Sequence, residues 1–169
     1  MINTVKKLLR RAKYNTYDTR EWVKAYFDEN SGGFMVYHKD HQFDPTIGKF
    51  GIPRGEYEKI VSEVLVRYGM IVELGSEKAP HRIKVQDGLL DGIKFEIKSI
   101  EGVGKNNIIN NLKVASKKGA EAVVLYYHDN GLFLERQIQE NYQSYLRNSK
   151  SRRIQKIYYI VNGELHTLK

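Results

Sequence analysis

The sequence predicts an α/β protein in which helices flank a mixed central β-sheet. Three observations support this fold class. Helix-like and strand-like segments alternate from residue 54 onward, two dipeptides typical of tight hairpin turns interrupt the strands, and an apolar run at residues 121–128 is typical of a central strand covered on both faces. We expect an N-terminal helical and loop extension over residues 1–50 and a second domain over residues 51–169 that ends in a β-hairpin.

The composition restricts the possible functions. The 169 residues contain no cysteine, which excludes disulfides, thiolate zinc sites and a cysteine nucleophile. No apolar segment is long enough to span a membrane and no secretory signal is visible, so we expect a cytoplasmic protein, or one delivered into a target cell as part of a larger toxin or phage protein. The net charge of +8 favours a nucleic-acid partner, although such an excess can also serve solubility alone.

The N-terminal extension is expected to consist of helices and a loop without assignable chemistry. The pattern predicts a basic helix over residues 1–13, a second helix over residues 19–30, and a short strand over residues 34–38. The polar loop after this strand contains two histidines and two aspartates, a combination that could bind a metal ion or touch a substrate. Because the spacing of His38 and His41 matches no standard zinc pattern, we expect no ligand role for them.

The second domain has a regular order of predicted elements. These are a helix over 54–69, a strand over 70–74, a strand segment from 82 that leads into a hairpin ending near 98, a helix over 106–118, a strand over 121–128, a helix over 134–149 and a hairpin over 157–168. Gly69 and Gly119 suit the C-terminal ends of two of these helices, because glycine readily adopts the left-handed conformation found there.

The first of the two hairpins carries most of the chemistry. Asp91 and Gly92 are a strong turn signal, because a two-residue type I′ turn requires positive φ at both positions. This turn sets a register in which Asp87 faces Glu96, and Lys98 lies two residues further on the same face. Neighbouring carboxylates repel each other unless a cation lies between them, and such oxygen ligands suit Mg²⁺ or Mn²⁺. Alternatively, this face is solvated and carries an ordinary ion pair.

The aspartate followed by Glu-x-Lys on the next strand resembles the core motif of the PD-(D/E)xK nucleases. Gln86 stands where these nucleases usually have a proline. The proline reflects a backbone preference and is not a metal ligand. The resemblance covers roughly residues 54–128. It implies the restriction-endonuclease-like fold, with an αβββαβ core, and metal-dependent hydrolysis of phosphodiester bonds.

The resemblance also implies a role for each residue of the motif. Asp87 and Glu96 would hold Mg²⁺ or Mn²⁺, and the main-chain carbonyl of Ile97 is a plausible further ligand. Lys98 would position the attacking water or stabilise the transition state. No histidine base is then required, because a bound ion lowers the pKa of its water.

Glu58 is the expected further carboxylate of this site. It lies in line with Leu65 on the helical wheel, so it borders the buried face of its helix. The resembling nucleases often place a metal-site glutamate at this position, which implies Glu58 first and Glu56 second. Alternatively, an early glutamate only stabilises the positive end of the helix dipole.

The helix over residues 106–118 carries a polar stripe with the chemistry to bind a phosphate backbone. Its members follow the i, i+4, i+7, i+11 spacing of one helix face and are Asn106, Asn110, Lys113 and Lys117. In the resembling nucleases, polar residues of the equivalent helix line the site, which implies nucleic-acid binding for these four. A merely solvated face is the alternative.

The layout as a whole is also similar to the C-terminal tRNA nuclease domains of contact-dependent growth-inhibition toxins and their phage-borne relatives. That narrower resemblance implies a toxin that cuts tRNA and is held by an immunity protein. The residues themselves do not distinguish RNA from DNA, because phosphate contacts carry no sequence information. A non-catalytic nucleic-acid-binding module and a phage accessory protein are the alternatives.

Overall fold

A computed structural model describes residues 2–76 and 87–168. Within them the chain has a mixed α/β fold with four α-helices and eight β-strands, which confirms the predicted α/β class. The restriction-endonuclease-like core stays a prediction. These residues form two compact units, one containing those up to residue 76 together with 87–92, the other containing those from residue 93 onward. The domain boundary predicted at residue 50 stays a prediction. Gln86 and the strand segment predicted from residue 82 lie outside the described residues.

The first unit contains two helices and a four-stranded mixed sheet. Its elements are α1 (Thr4–Thr16), β1 (Trp22–Phe27), β2 (Phe34–His38), α2 (Arg54–Arg67), β3 (Ile71–Leu74) and β4 (Gly88–Leu90). β2 pairs antiparallel with β1 and parallel with β3, and β3 pairs antiparallel with β4. α2 packs on β2 and β3, where it buries Tyr57, Val61 and Leu65.

The helix predicted over residues 19–30 is wrong, because this segment forms strand β1. A β-bulge between Lys24 and Tyr26 leaves an extra residue in β1 opposite β2. Such an insertion shifts the alternation of apolar residues, so those on either side of the bulge fall at a helix-like spacing. The Asp28 side chain accepts hydrogen bonds from the main-chain N–H groups of Asn30 and Ser31, which stabilises the turn into β2.

Helix α1 confirms the predicted basic helix and contacts the rest of the unit through charged side chains and one aromatic ring. Lys7 and Arg11 form ion pairs with Glu29, and the Arg10 guanidinium donates to the main-chain carbonyl of Gly69. The aliphatic residues of α1 point into solvent, with Leu8 65% exposed, whereas the Tyr14 ring packs against Phe27 and Phe34. Among the described helices, none combines the length and the apolar composition that crossing a bilayer would require.

The second unit contains two α-helices and four strands of mixed direction. Its elements are β5 (Ile93–Ser99), α3 (Asn107–Lys117), β6 (Ala122–Tyr126), α4 (Glu135–Asn148), β7 (Lys156–Val161) and β8 (Glu164–Thr167). β5, β6 and β7 are parallel neighbours, and β8 pairs antiparallel with β7. All five residues of β6 are buried, as predicted for a central strand.

Both predicted Asx-Gly turns are confirmed by the backbone. Asp91 and Gly92 have φ values of 49° and 81°, and Asn162 and Gly163 have φ values of 56° and 73°. These pairs of positive φ angles match a type I′ turn, in which glycine is favoured at the second position. The second turn joins β7 directly to β8.

Candidate functional site

The side chains of Glu96 and Lys98 meet on one face of β5. The Lys98 Nζ atom lies 2.9 Å from the Glu96 Oε1 atom, so the predicted shared face is confirmed. Phe95, which points to the opposite face, is fully buried. The alternation along β5 therefore separates an apolar face from a face that carries charge.

Glu96 is buried, with 1% of its surface exposed. In the register of β5 against β6, Glu96 lies beside Val123 and Lys98 beside Leu125. Both of these apolar residues belong to the core that packs under α3 and α4. The face that carries the charges is therefore covered by the helical layer and is not an ordinary solvated face.

A second lysine stabilises the buried carboxylate. Lys118, directly after the end of α3, places its Nζ atom 2.5 Å from the Glu96 Oε1 atom. Burial of an ionised carboxylate costs free energy unless hydrogen bonds and opposite charges replace the lost water. Lys98 and Lys118 both supply such contacts to Glu96, and no local pattern in the sequence points to Lys118.

Helix α3 has two polar rows, and the row that reaches Glu96 is not the predicted one. In the predicted row, Asn106, Asn110 and Lys117 are exposed and Lys113 is half-buried. The other row is half-buried and consists of Asn107, Asn111 and Lys118. The binding of nucleic acid by the predicted row stays a prediction.

In the first unit, Glu58 borders the buried face of α2 and faces a histidine. Its side chain is 14% exposed, and its Oε1 atom lies 3.4 Å from Nε2 of His41. The imidazole is fully buried, its Nδ1 atom lies 3.0 Å from the carbonyl oxygen of Gly75, and its ring packs edge-on against Phe43. His41 therefore contacts a predicted site residue directly, and the expectation that it has no ligand role stays a prediction.

The spacing of residues in the loop gives no signal for the His41–Glu58 contact. The loop is bound to the start of α2 through main-chain hydrogen bonds, from Gly55 N–H to Asp44 and from Arg54 N–H to Thr46. Only this folding of the loop brings His41 next to the helix.

The other predicted ligands belong to two different units of the chain. Asp87 is half-buried and directly precedes β4 in the first unit, whereas Glu96 and Ile97 lie in β5 of the second unit. In the part of the chain that the structure describes, no group of three or more histidine, aspartate or glutamate side chains is arranged to hold a metal ion. The joint metal site of Asp87, Glu96 and Glu58 stays a prediction.

The second unit is thus an α/β module with a buried glutamate held by two lysines. Residues 86–165, a little under half of the chain, match the family model described as Contact-dependent growth inhibition CdiA C-terminal domain. This part of the chain is therefore similar to the toxin domains of that system, as the layout of its elements predicted. A search of curated proteins and a search of solved structures found no match. Membership of the PD-(D/E)xK nucleases stays a prediction.

Proposed function

We propose that this chain carries a toxin domain that hydrolyses phosphodiester bonds in nucleic acid with Mg²⁺ or Mn²⁺ as cofactor. The observation that carries the proposal is the buried Glu96 with Lys98 on its carboxylate. This pair lies inside the region that is similar to CdiA C-terminal domains, which are toxins and often nucleases. A glutamate and a lysine two residues apart on one strand also match the Glu-x-Lys motif of the resembling nucleases.

The donor atoms of the proposed site suit a hard divalent cation. Glu96 and Asp87 carry carboxylate oxygens, and the main chain of Ile97 adds a carbonyl oxygen. Mg²⁺ prefers oxygen ligands and is commonly bound by one or two carboxylates, with water in the remaining positions. A bound ion would lower the pKa of a water molecule and screen the negative charge of the phosphate.

The side chains of the chain itself would orient the reacting groups and supply positive charge to the phosphate. Lys98 is held by Glu96, so its ammonium group has a defined place from which to orient a water molecule or stabilise the charge that develops on phosphorus oxygens. Glu58 would complete the acidic set, and His41 would orient its carboxylate. Lys113 and Lys117 would bind phosphate groups as point charges.

We propose tRNA as the substrate and an immunity protein as the natural partner. CdiA C-terminal domains are delivered into target cells and associate with immunity proteins. The net charge of +8 favours association with a polyanion such as tRNA.

The test is a cleavage assay with the purified chain and three substrates, namely total tRNA, single-stranded DNA and plasmid. Each is incubated with Mg²⁺, with Mn²⁺ and with a chelator. We expect cleavage of tRNA only when a divalent ion is present, and its loss in Glu96→Gln. Glu164→Gln is the matched control, because the Glu164 side chain is 70% exposed on β8, and we expect it to retain the wild-type rate.

Two results would contradict the proposal. Cleavage by Glu96→Gln at the wild-type rate would remove Glu96 from the mechanism. Binding of nucleic acid without cleavage in any metal would identify a non-catalytic binding module. Lys98→Ala should retain metal binding and lose at least about 100-fold in rate, as expected for the loss of one transition-state donor.

A further inference from the structure

We propose that Lys118 is a positioning residue of this same site, which holds the Glu96 carboxylate and competes with the divalent cation for it. This inference rests on the proposed function and adds a residue that the Glu-x-Lys motif does not contain. It assigns a role to the end of helix α3, and it has a measurable signature that a purely structural lysine would not have.

The first support is the geometry at Glu96. The Nζ atoms of Lys118 and Lys98 lie 2.5 Å and 2.9 Å from the same carboxylate oxygen, Oε1. The three side chains are 24%, 17% and 2% exposed, in the order Lys118, Lys98 and Glu96. Two ammonium groups on one oxygen orient the carboxylate strongly, since each charge-assisted hydrogen bond is about twice as strong as a neutral one.

The second support is the direction in which this side of α3 faces. The Asn107 side chain donates to the main-chain carbonyl of Gly102, in the loop that follows β5, at 3.1 Å. The Asn111 side chain donates to the carbonyl oxygen of Asn107, also at 3.1 Å. Lys118 follows Asn107 by eleven residues, about three helical turns, so it lies on the side of α3 from which Asn107 reaches the loop after β5.

The third support is the fixed main chain at Lys118. Its N–H donates to the carbonyl oxygens of Val114 and Ala115, and Gly119 has a φ of 94°, which ends the helix. Ser116, two residues earlier, is bound to the segment after α4 through Ser151. The main chain that carries Lys118 is therefore held on two sides.

The consequence for cation binding follows from charge. Glu96 carries one negative charge, and the two ammonium groups that contact it carry two positive charges. A divalent cation that binds Glu96 must compete with these groups and is repelled by them. Removal of one ammonium group should therefore tighten cation binding at least about tenfold, which corresponds to about 1.4 kcal/mol.

The test measures Mn²⁺ binding and tRNA cleavage separately in Lys118→Met. We expect the dissociation constant for Mn²⁺, measured by calorimetry, to fall at least about tenfold. We expect kcat at saturating Mn²⁺ to fall at least about tenfold with little change in KM, because the carboxylate is no longer oriented. Lys118→Arg should restore most of kcat. Lys156→Met removes the same charge from an exposed position at the start of β7 and should leave the Mn²⁺ affinity within about twofold.

The outcomes separate the two proposals. Mn²⁺ binding that requires Glu96 but is the same in Lys118→Met and Lys156→Met would overturn the role of Lys118 and leave the proposed function standing. Weaker Mn²⁺ binding in Lys118→Met would also overturn it, since a damaged site loses affinity. Absence of Glu96-dependent Mn²⁺ binding in the wild-type chain would overturn the proposed function, and the role of Lys118 with it.

Discussion

The hydroxyl group of Ser116 connects α3 to the segment that follows α4, and its removal should destabilise the second unit. Ser116 is 1% exposed. Its oxygen accepts hydrogen bonds from the Tyr145 hydroxyl at 3.0 Å and from the Arg153 main-chain N–H at 3.2 Å. It can also donate to the main-chain carbonyl of Ser151 at 3.1 Å. Ser116→Ala removes the acceptor of two donors at once.

The magnitude follows from the burial of these donors. Tyr145 is fully buried, so its hydroxyl cannot turn to water when the acceptor is lost. An unsatisfied buried donor costs about 1–3 kcal/mol. Because the Arg153 N–H is less deeply buried, we expect a total loss of about 2–4 kcal/mol in the free energy of unfolding. With a urea m-value of about 2 kcal/mol per M, the midpoint should fall by about 1–2 M.

The assay is urea denaturation followed by far-UV circular dichroism, with Ser144→Ala as control. The Ser144 hydroxyl accepts a bond from Asn148 on the exposed side of α4, at 3.3 Å. A surface change of this kind should stay within about 0.5 kcal/mol. The reasoning is refuted if Ser116→Ala shifts the midpoint no more than Ser144→Ala does. In a Tyr145→Phe background, Ser116→Ala should cost about 1 kcal/mol less, because one of the two donors is already absent.

Three further changes test other parts of the fold. Gly88→Ala should lower the unfolding free energy by more than about 2 kcal/mol, because the added Cβ would overlap a β3 carbonyl oxygen, and an unchanged urea midpoint would contradict this. Leu112→Ala removes a fully buried side chain and should cost about 2–5 kcal/mol, whereas Leu9→Ala, at a 67% exposed position, should be near neutral in the same assay. The hydrogen bond from Arg20 lowers the pKa of Asp18. The contribution of this hydrogen bond to folding stability is therefore present at neutral pH and is lost as the pH falls through the folded-state pKa of Asp18. Arg20→Ala should return the pKa of Asp18 toward 3.8 in a carboxyl-carbon NMR titration. An unchanged pKa would show that the Arg20 hydrogen bond does not cause the shift.

Local patterns in the sequence were sufficient for the parts of the fold that depend on neighbours in the chain. The positive φ angles at Asp91-Gly92 and Asn162-Gly163 follow from residue type, because few residues other than Asn, Asp and Gly occupy that region readily. The pairing of Glu96 with Lys98 follows from the two-residue period of a strand. The apolar strand β6 was predicted for the same reason, since burial on both faces leaves no polar position.

Local patterns failed where one inserted residue changes the period of a strand. They also failed where two polar rows of one helix lie at equivalent positions beside its buried stripe. The bulge in β1 gave a strand the spacing of a helix. On α3, the row containing Asn107, Asn111 and Lys118 and the predicted row containing Lys117 flank the buried stripe on opposite sides, at similar angles. A helical wheel therefore offers no reason to prefer either row.

Residue types and their spacing along the chain were enough to predict a basic α/β protein with tight Asx-Gly turns and a Glu-x-Lys strand. The burial of Glu96, the contact of Lys118 with its carboxylate and the contact of His41 with Glu58 became visible only in the folded chain. The physical reason is the range of the interactions. Turn conformation and side-chain alternation depend on adjacent residues, whereas these contacts join residues 17–22 positions apart and depend on how helices and loops pack over the sheets.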